Sequence, residues 1–133
     1  MSFKEVLDLT ELPVVTFYNG GKKVNFLLDT GSNASYFNIR DVERLEKYER
    51  VNKVSTGIVT GSSVVEETHG YIRIPLEYKG STYSDDFVLY DISDSFDNIK
   101  KESGVSIHGI LGNQFFTKYR YILDFDKMIA YMK

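Results

Sequence analysis

The sequence contains no cysteine and only two histidines. The absence of cysteine excludes thiol catalysis, disulfide bridges and every metal site built on thiolates. With His69 and His108 as the only imidazoles, a metal centre made from several histidines of one chain is not expected. We therefore predict no metal and no cofactor, and we interpret His108 as a packing or hydrogen-bonding residue rather than a catalyst.

The sequence also has no long apolar run and no excess of basic residues. No stretch approaches the ~18 apolar residues of a membrane-spanning helix. Sixteen lysines and arginines are interspersed with nineteen aspartates and glutamates, which gives a net charge of −3. Because a nucleic-acid or anionic-membrane surface would need a basic face, neither partner is expected. The start of the chain lacks the pattern of a signal peptide, so we expect a cytoplasmic protein by default. A signal peptide that had been removed would leave no trace in the sequence.

Length and composition are typical of one globular domain. The chain has 133 residues, of which 42% are hydrophobic and 26% are charged. A domain of this size buries roughly two-thirds of the surface of its unfolded chain, so it needs neither a metal nor a disulfide to fold. No linker or low-complexity tract divides the sequence, and we predict a single domain over residues 1–133 with a core over about 12–131.

Short runs of β-branched and aromatic residues, separated by glycine turns, predict a mostly β fold. Asn19-Gly20-Gly21 is a strong hairpin signal between two such runs. Helical spacing of apolar residues predicts a helix over 39–50, and Asn113 is a candidate cap for a short helix over 114–119. The polar stretch 93–104 is predicted as a loop with one helical turn at most. The predicted strands cover 12–18, 22–28, 51–59, 64–76, 86–90, 105–111, 121–125 and 129–131.

Asp29 is the residue whose surroundings point to chemistry. It follows the apolar run Phe26-Leu27-Leu28 and precedes Thr30-Gly31-Ser32. A carboxylate at the end of a buried strand is costly unless neighbouring donors stabilise it. A tight turn at Gly31 allows backbone amides to point back at the carboxylate, and the two hydroxyl groups beside it add donors. A carboxylate held this way within reach of solvent suits acid–base catalysis, although an Asx-type turn that only ends a strand would use the same residues.

A second glycine motif completes a pattern that resembles the retropepsin-like aspartic proteases. The matching segments are Phe26-Leu27-Leu28-Asp29-Thr30-Gly31-Ser32, a hairpin around Gly61, and Gly109-Ile110-Leu111-Gly112-Asn113-Gln114-Phe115-Phe116. The resemblance extends over nearly the whole chain. It implies a mostly β, closed barrel of the acid-protease type with one or two short helices. It also implies an aspartic endopeptidase that acts on extended polypeptides as a homodimer.

The resemblance also implies roles for individual residues. Asp29 is expected to act as catalytic base and acid in turn, Thr30 to bind across the dimer axis, and Gly31 to lie against the substrate backbone. Ser32 is expected to donate a hydrogen bond to the carboxylate and to favour its ionised form. The remaining candidates are substrate-binding residues, with Thr60, Gly61 and Ser62 at the tip of a mobile flap: Asn33, Thr60, Gly61, Ser62, Ile110 and Leu111.

Physical chemistry also indicates that a chain with a single Asp-Thr-Gly motif needs a second chain for catalysis. Hydrolysis by carboxylates and water needs both a base and an acid, and one carboxyl group cannot be both at once. Two carboxylates ~3 Å apart repel by about 5 kcal/mol at an effective dielectric near 20, so such a pair retains one shared proton, as is established for the dyads of aspartic proteases. The second carboxylate is therefore expected from Asp29 of another copy. The other aspartates considered are predicted to be strand-end, turn or solvated loop residues: Asp85, Asp86, Asp91, Asp94, Asp97, Asp124 and Asp126.

Two positions depart from the retroviral pattern. Retroviral relatives usually have an acidic residue shortly after the catalytic turn and an arginine after the second glycine motif, and these two side chains form a supporting ion pair. This chain has Asn33-Ala34 and Asn113 at the corresponding positions. The departure therefore bears on how the turn is held and on the geometry of the dimer.

Two other functions stay open on the sequence. The first is a catalytically inactive retropepsin-like domain that dimerises or binds peptides. The second is a phosphate loop of the actin and sugar-kinase type, because an apolar strand followed by Asp-x-Gly-Ser/Thr also occurs there. That fold needs two large lobes and a second phosphate motif, which a chain of 133 residues does not supply.

Overall fold

Six strands that close on themselves surround the main core of the protein. The computed structural model describes residues 12–51, 58–60, 63–65, 70–124 and 129–132. The helices are a 3₁₀ helix, Ile39–Arg44, and two α-helices, α1 Ser93–Ser103 and α2 Asn113–Tyr119. The strands, in chain order, are β1 Val14–Asn19, β2 Lys22–Leu28, β3 Ser35–Asn38, β4 Glu49–Val51, β5 Ile58–Thr60, β6 Ser63–Val65, β7 Tyr71–Tyr78, β8 Ser81–Tyr90, β9 Gly109–Leu111, β10 Tyr121–Asp124 and β11 Ile129–Met132.

The barrel follows the strand order β1-β2-β9-β3-β8-β7, and β1 pairs again with β7 where Tyr18 lies opposite Glu77. β9 is inserted parallel to β2 and antiparallel to β3, and β3 runs parallel to β8. β4 extends the sheet beyond β7. Closure pairs every one of the six strands on both sides. The predicted mostly β, closed barrel is confirmed.

The hairpin predicted at Asn19-Gly20-Gly21 joins β1 and β2. Gly20 and Gly21 have φ angles of 58° and 86°. Two consecutive left-handed residues make the turn that matches the twist of a two-residue hairpin. The register runs from Asn19 opposite Lys22 to Val14 opposite Leu27. This register places Leu28, and therefore Asp29, at the end of the hairpin that lies beside β9.

Aromatic rings fill the centre of the barrel. The rings of Phe26 and Phe87 stack at 5.4 Å between centroids, and Phe17 meets the ring of Phe115 edge-on at 5.9 Å. All four side chains are at most 1% exposed. Aromatic pairs in these arrangements add about 0.5–1.5 kcal/mol each beyond the burial of their area. A second, smaller cluster joins α1 to the outside of the barrel: Val14, Phe96, Val105 and Ile107.

The helix predicted over 39–50 is only partly present. A 3₁₀ helix covers Ile39–Arg44, and Leu45 is already extended. The side-chain oxygen of Asn19 accepts hydrogen bonds from the backbone N–H groups of Glu46 and Lys47 at 2.8 and 2.9 Å. These N–H groups would otherwise donate to carbonyls one turn earlier in a helix. A tertiary contact therefore ends the helix and releases the chain into β4.

The polar stretch 93–104, predicted as a loop, instead contains the eleven-residue helix α1. Phe96 is buried and Ile99 packs beside it, so a narrow apolar stripe anchors an otherwise solvated helix. Gly104 ends the helix in the left-handed conformation with φ of 79°, and its N–H donates to the carbonyl of Lys100 at 2.7 Å. The prediction failed because the stripe has only two apolar members.

Other boundaries differ in length rather than in kind. β8 begins at Ser81, five residues before the predicted strand, and of the predicted strand 105–111 only 109–111 is paired as β9. The predicted strands 51–59 and 64–76 correspond to parts of β4, β5, β6 and β7. Gly70 precedes β7 outside any strand, and residues 52–57 and 66–69 lie outside the described part of the chain. The predicted pairing of β10 with β11 is confirmed.

Candidate active site

Asp29 lies directly after β2, in a turn that leads to β3. Its backbone N–H donates to the carbonyl of Leu111 at 3.0 Å, which ties the turn to the end of β9. Its carboxylate oxygen Oδ1 accepts the N–H of Gly31 at 2.9 Å, and its carbonyl accepts the N–H of Ser32 at 3.2 Å. The carboxylate is half-buried, with the exposed residues Thr30 and Gly31 beside it. The turn therefore fixes one carboxylate oxygen at the protein surface.

Ser32 does not play the part expected of it. Its hydroxyl donates to the carbonyl of Ala34 at 2.7 Å rather than to the carboxylate. The predicted support from a side-chain donor is therefore replaced by the backbone N–H of Gly31. A Cβ on Gly31 would lie 3.2 Å from Asp29 Oδ1, which is tighter than ordinary van der Waals contact. Glycine at this position lets the backbone approach the carboxylate.

The second glycine motif allows β9 to pass close behind the turn. A Cβ on Gly109 would lie 2.7 Å from the carbonyl oxygen of Tyr36, and one on Gly112 would lie 2.3 Å from the carbonyl oxygen of Ala34. Neither distance can accommodate a side chain without movement of the backbone. The two glycines are therefore required where β9 is inserted beside β3, and the motif positions the Asp29 turn.

Asn113, which follows the second glycine motif, bonds directly to the turn. Its backbone N–H donates to the carbonyl of Ser32 at 2.8 Å, and its side-chain Nδ2 donates to the carbonyl of Thr30 at 2.8 Å. The sequence predicted a helix cap here, yet Asn113 is the first residue of α2 and makes no capping bond. Its function in the structure is to brace the turn.

Asp85, predicted as a solvated loop charge, is a buried residue of β8 that is 7% exposed. Its carboxylate accepts hydrogen bonds from the Ser35 hydroxyl at 2.5 Å, Gln114 Nε2 at 2.7 Å and the Asp86 N–H at 3.0 Å. Burial raises the pKa of Asp85 above its usual range, and these hydrogen bonds oppose the rise. Because burial of an isolated carboxylate is costly, these three donors are what allow Asp85 to occupy this position.

Asp86 and Asp97, also predicted in loops, lie on regular elements, whereas Asp91 lies between β8 and α1, in a loop as predicted. Asp86 is on β8, where Arg73 Nε donates to its carboxylate at 2.7 Å. Asp97 is on α1 and accepts two hydrogen bonds from the guanidinium of Arg40, at 2.8 and 3.0 Å. The ion pair between Asp97 and Arg40 is exposed to solvent, as predicted for the charge of Asp97. Residue 126 lies outside the described residues.

A mainly apolar cavity of about 230 Å³ opens beside the carboxylate of Asp29. Ile110, predicted to bind substrate, lines it, whereas Leu111 is fully buried in the main core and packs beneath the turn. Asn33 is exposed and is not among the lining residues. Thr60 is the last residue of β5, and residues 61 and 62 lie outside the described part of the chain. The full lining consists of Asp29, Gly31, Ser32, Tyr36, Tyr90, Ile92 and Ile110.

Tyr36, Tyr90 and Ile92 were not predicted as site residues. Tyr36 and Tyr90 belong to the paired strands β3 and β8, and no short motif marks either position. The hydroxyl of Tyr36 is buried near the Ser32 side chain and makes no hydrogen bond of good geometry in the part of the chain that the structure describes. Burial raises the pKa of Tyr36, and the interaction with Ser32 opposes the rise. Only the pairing of the two strands brings these side chains to the Asp29 turn.

His108 lies away from the cavity and is buried in the interior of the protein. It is 3% exposed, and its Nδ1 accepts the backbone N–H of Asn25 at 2.9 Å. Burial, together with the nearby charges of Arg44, Lys100 and Arg40, lowers its pKa to about 4. The ring is therefore neutral at pH 7 with its proton on Nε2. This geometry agrees with a hydrogen-bonding role in packing.

In residues 12–51, 58–60, 63–65, 70–124 and 129–132, no group of three histidine, aspartate or glutamate side chains is placed to hold a metal ion. No helix within these same ranges is long and apolar enough to cross a membrane.

Comparison with known proteins agrees with this arrangement. A family model described as aspartyl protease matches residues 14–115. The retroviral protease-like domain of Ddi1 from Leishmania major superposes with a TM-score of 0.61 at 16% identity, covering 92% of this chain and 87% of that one. EIAV protease in complex with the inhibitor HBY-793 superposes with a TM-score of 0.55 at 20% identity, covering 84% of this chain and 90% of that one. No curated protein gives a significant sequence match.

Proposed function

Because this chain belongs to the aspartyl protease family, whose model matches residues 14–115, we propose that it is an aspartic endopeptidase that acts as a homodimer. The observation that carries the proposal is the Asp29 turn. One carboxylate is held by the N–H of Gly31 at 2.9 Å, at the mouth of an apolar cavity and at the surface. This is the geometry of a reactive carboxylate that is ordered before substrate arrives.

The chemistry requires a second carboxylate, and Asp29 of another copy would supply it. A water molecule held between the two groups gives one proton to the ionised carboxylate while its oxygen attacks the peptide carbonyl carbon. The protonated carboxyl group gives its proton to the carbonyl oxygen, so a neutral tetrahedral intermediate forms. The carboxyl group that took the proton from water then gives it to the amide nitrogen as the C–N bond breaks. The other carboxylate takes the proton of one hydroxyl of the intermediate, which becomes the carboxyl group of the product, so the pair is again singly protonated. Thr30, which is exposed beside Asp29, would contact its counterpart across the two-fold axis of this dimer.

The substrate is proposed to be an extended polypeptide with an apolar side chain next to the cleaved bond. Tyr36, Tyr90, Ile92 and Ile110 give the cavity a surface that favours such a side chain. A volume of about 230 Å³ is ample for a leucine or phenylalanine side chain. Residues 60–62 are proposed to form the tip of a flap that closes over the peptide and excludes water.

Cleavage of an unstructured polypeptide between pH 3 and 7 tests the proposal. The wild type should cut it, a pepstatin-like transition-state mimic should block the reaction, and Asp29→Asn should lower the rate by about 10²-fold or more. Asp97→Asn is the matched control, because it also removes one carboxylate but on the exposed surface of α1. If the wild type binds the polypeptide but never cuts it, the inactive peptide-binding domain is the correct alternative.

A mixing experiment tests the shared pair directly. If each active site needs Asp29 from both chains, only wild-type dimers are active. After subunit exchange with an equal amount of Asp29→Asn chain, about one quarter of the dimers would be fully wild type, so activity should fall to about half that of the same wild-type chain alone. Unchanged activity after demonstrated exchange, or activity from particles with the mass of a single chain, would show that one chain suffices.

A further inference from the structure

The carboxylate of Asp85 is connected to the Asp29 turn through two side chains. The Ser35 hydroxyl donates to Asp85 Oδ2 at 2.5 Å and itself accepts the backbone N–H of Gly112 at 3.0 Å. On the other side, Gln114 Nε2 donates to Asp85 Oδ1 at 2.7 Å and to the carbonyl of Asp86 at 2.9 Å. Asp85 is therefore linked through Ser35 to Gly112, the residue that joins β9 to α2, and directly to Gln114 in the first turn of α2.

That segment in turn determines where the Asp29 turn lies. Leu111 accepts the N–H of Asp29 at 3.0 Å, and Asn113 donates to the carbonyls of Ser32 and Thr30, each at 2.8 Å. Gly112, between them, is packed so closely against Ala34 that no Cβ fits. A shift of Gly112 would therefore move the turn with it.

The network is unusual in using a buried carboxylate where an uncharged residue would avoid the cost of desolvation. Three donors converge on its two oxygens: one hydroxyl, one side-chain amide and one backbone N–H. Asparagine at this position could accept at only one oxygen, and its NH₂ group would face either the Ser35 hydroxyl or the two N–H donors. A carboxylate is therefore the group that satisfies both ends of the network at once.

We propose that Asp85 is a positioning residue for the catalytic turn: through Ser35 and Gln114 it holds Gly112 in the place that orients Asp29. The inference rests on the proposed function, because the site that Asp85 would orient is the proposed active site. Asp85 does not line the cavity and makes no contact with substrate in this assignment. Its effect is on the rate of the chemical step rather than on the affinity for the peptide.

Amide hydrogen exchange of the full chain tests the positioning without relying on activity. In Asp85→Asn, exchange at Gly112 and Gly31 should be at least 10-fold faster than in the wild type, while core amides such as Ile74 and Leu89 keep their wild-type rates. Uniform acceleration at all sites would show that Asp85 serves only global stability. Unchanged exchange at Gly112 would also overturn the proposal. If Asp85→Asn does not fold, Ser35→Ala deletes the hydroxyl between Asp85 and Gly112. Because this hydroxyl is also the acceptor of the Gly112 N–H, the amide of Gly31 is then the readout, and unchanged exchange at Gly31 would overturn the proposal.

Kinetics separate this inference from the proposed function. With a wild type that cleaves peptide, Asp85→Asn should lower kcat about 10-fold and leave KM within about twofold, whereas Asp97→Asn should match the wild type. Asp85→Asn combined with Ser35→Ala should be no slower than the more impaired single variant, because Ser35 acts on the turn through its bond to Asp85. Wild-type kcat in Asp85→Asn would refute the positioning role while leaving the protease assignment intact. An inactive wild type would refute the protease assignment, and exchange at Gly112 would then decide whether Asp85 fixes the turn.

Discussion

The side chain of Asn113 donates to the carbonyl oxygen of Thr30 across 2.8 Å and so braces the Asp29 turn from the start of α2. An ion pair at this place, as the resemblance to retroviral proteases implies for those enzymes, weakens when its carboxylate is protonated. The amide of Asn113 has no charge to lose. The uncharged brace therefore persists at acidic pH, where a dyad of carboxylates keeps its shared proton.

Replacing Asn113 with alanine should loosen the turn at a small cost to the fold. The substitution removes one side-chain hydrogen bond and leaves the backbone bond to Ser32 in place. We expect unfolding free energy to fall by about 1 kcal/mol and peptidase activity to fall further, because the turn carries Asp29. Chemical denaturation and initial rates measure the two effects. Thr117→Ala, on the exposed side of the same helix, is the control, and an equal loss of activity in both variants would contradict the brace.

Replacing Gly112 with alanine should be far more damaging than the same change at Gly31. A Cβ on Gly112 meets the backbone carbonyl of Ala34 at 2.3 Å, whereas a Cβ on Gly31 meets only a side-chain oxygen at 3.2 Å. We expect Gly112→Ala to lower the free energy of unfolding by about 3 kcal/mol and Gly31→Ala by about 1 kcal/mol. Urea titration of both proteins gives the comparison. Equal stability of the two variants would mean that β9 can withdraw from β3 without cost.

The sequence predicts those features that depend on neighbouring residues. The hairpin at Gly20 and the turn at Asp29 each follow from a few adjacent residues, and both are present. The closed barrel followed from the resemblance carried by two short motifs. Local patterns therefore sufficed for the mostly β content and for the place of the carboxylate, whereas the closed barrel required the resemblance.

The sequence could not show contacts that join distant segments. Asn19 ends the helix predicted over 39–50 because its side-chain oxygen accepts hydrogen bonds from the N–H groups of residues 46 and 47. No pattern within 39–50 indicates that a distant side chain replaces the helical acceptors. Asp85 reads as one of several polar residues, yet its donors Ser35 and Gln114 come from β3 and α2. Tyr36 reaches the cavity only because β3 pairs with its neighbours. Long-range polar pairing was the missing information.

Tyr36→Phe and Tyr119→Phe should have opposite effects on stability. The buried hydroxyl of Tyr36 makes no hydrogen bond of good geometry within the described residues, with only the Ser32 side chain acting on it, so its removal abolishes a poorly satisfied polar group. The Tyr119 hydroxyl donates to the carbonyl of Ser84 at 3.0 Å and accepts its N–H at 2.8 Å. We expect Tyr36→Phe to be neutral or stabilising by up to about 1 kcal/mol, and Tyr119→Phe to be destabilising by about 1 kcal/mol. Thermal unfolding of both variants tests this, and a clear loss of stability in Tyr36→Phe would reveal a bond that the hydroxyl makes in solution.

His108 should make the fold less stable in mild acid. Burial lowers its pKa from 6.5 to about 4. Between these two pH values the unfolded chain therefore binds a proton on this imidazole and the folded chain does not. The stabilisation is complete above pH 6.5 and is lost as the pH falls from 6.5 towards 4, by roughly 2–4 kcal/mol in all. His108→Asn keeps an acceptor for the Asn25 N–H and does not titrate. The difference in unfolding free energy between wild type and variant should therefore shrink as the pH falls through this range, and a constant difference would contradict the assignment.

Asp85 should have the opposite effect on how the free energy of unfolding changes with pH. Burial raises its pKa above 3.8, so the folded chain binds a proton more readily than the unfolded chain. The resulting stabilisation is complete at pH values below the unfolded pKa and disappears as the pH rises through the raised folded value. Asp85→Asn removes this contribution, so its cost in unfolding free energy should be larger at pH 3.5 than at pH 7. Denaturation of wild type, Asp85→Asn and the exposed control Asp97→Asn at both pH values measures the difference. Asp97 should show the reverse trend, because Arg40 lowers its pKa, and a larger cost of Asp85→Asn at neutral pH would mean that hydrogen bonding to the ionised carboxylate outweighs its burial.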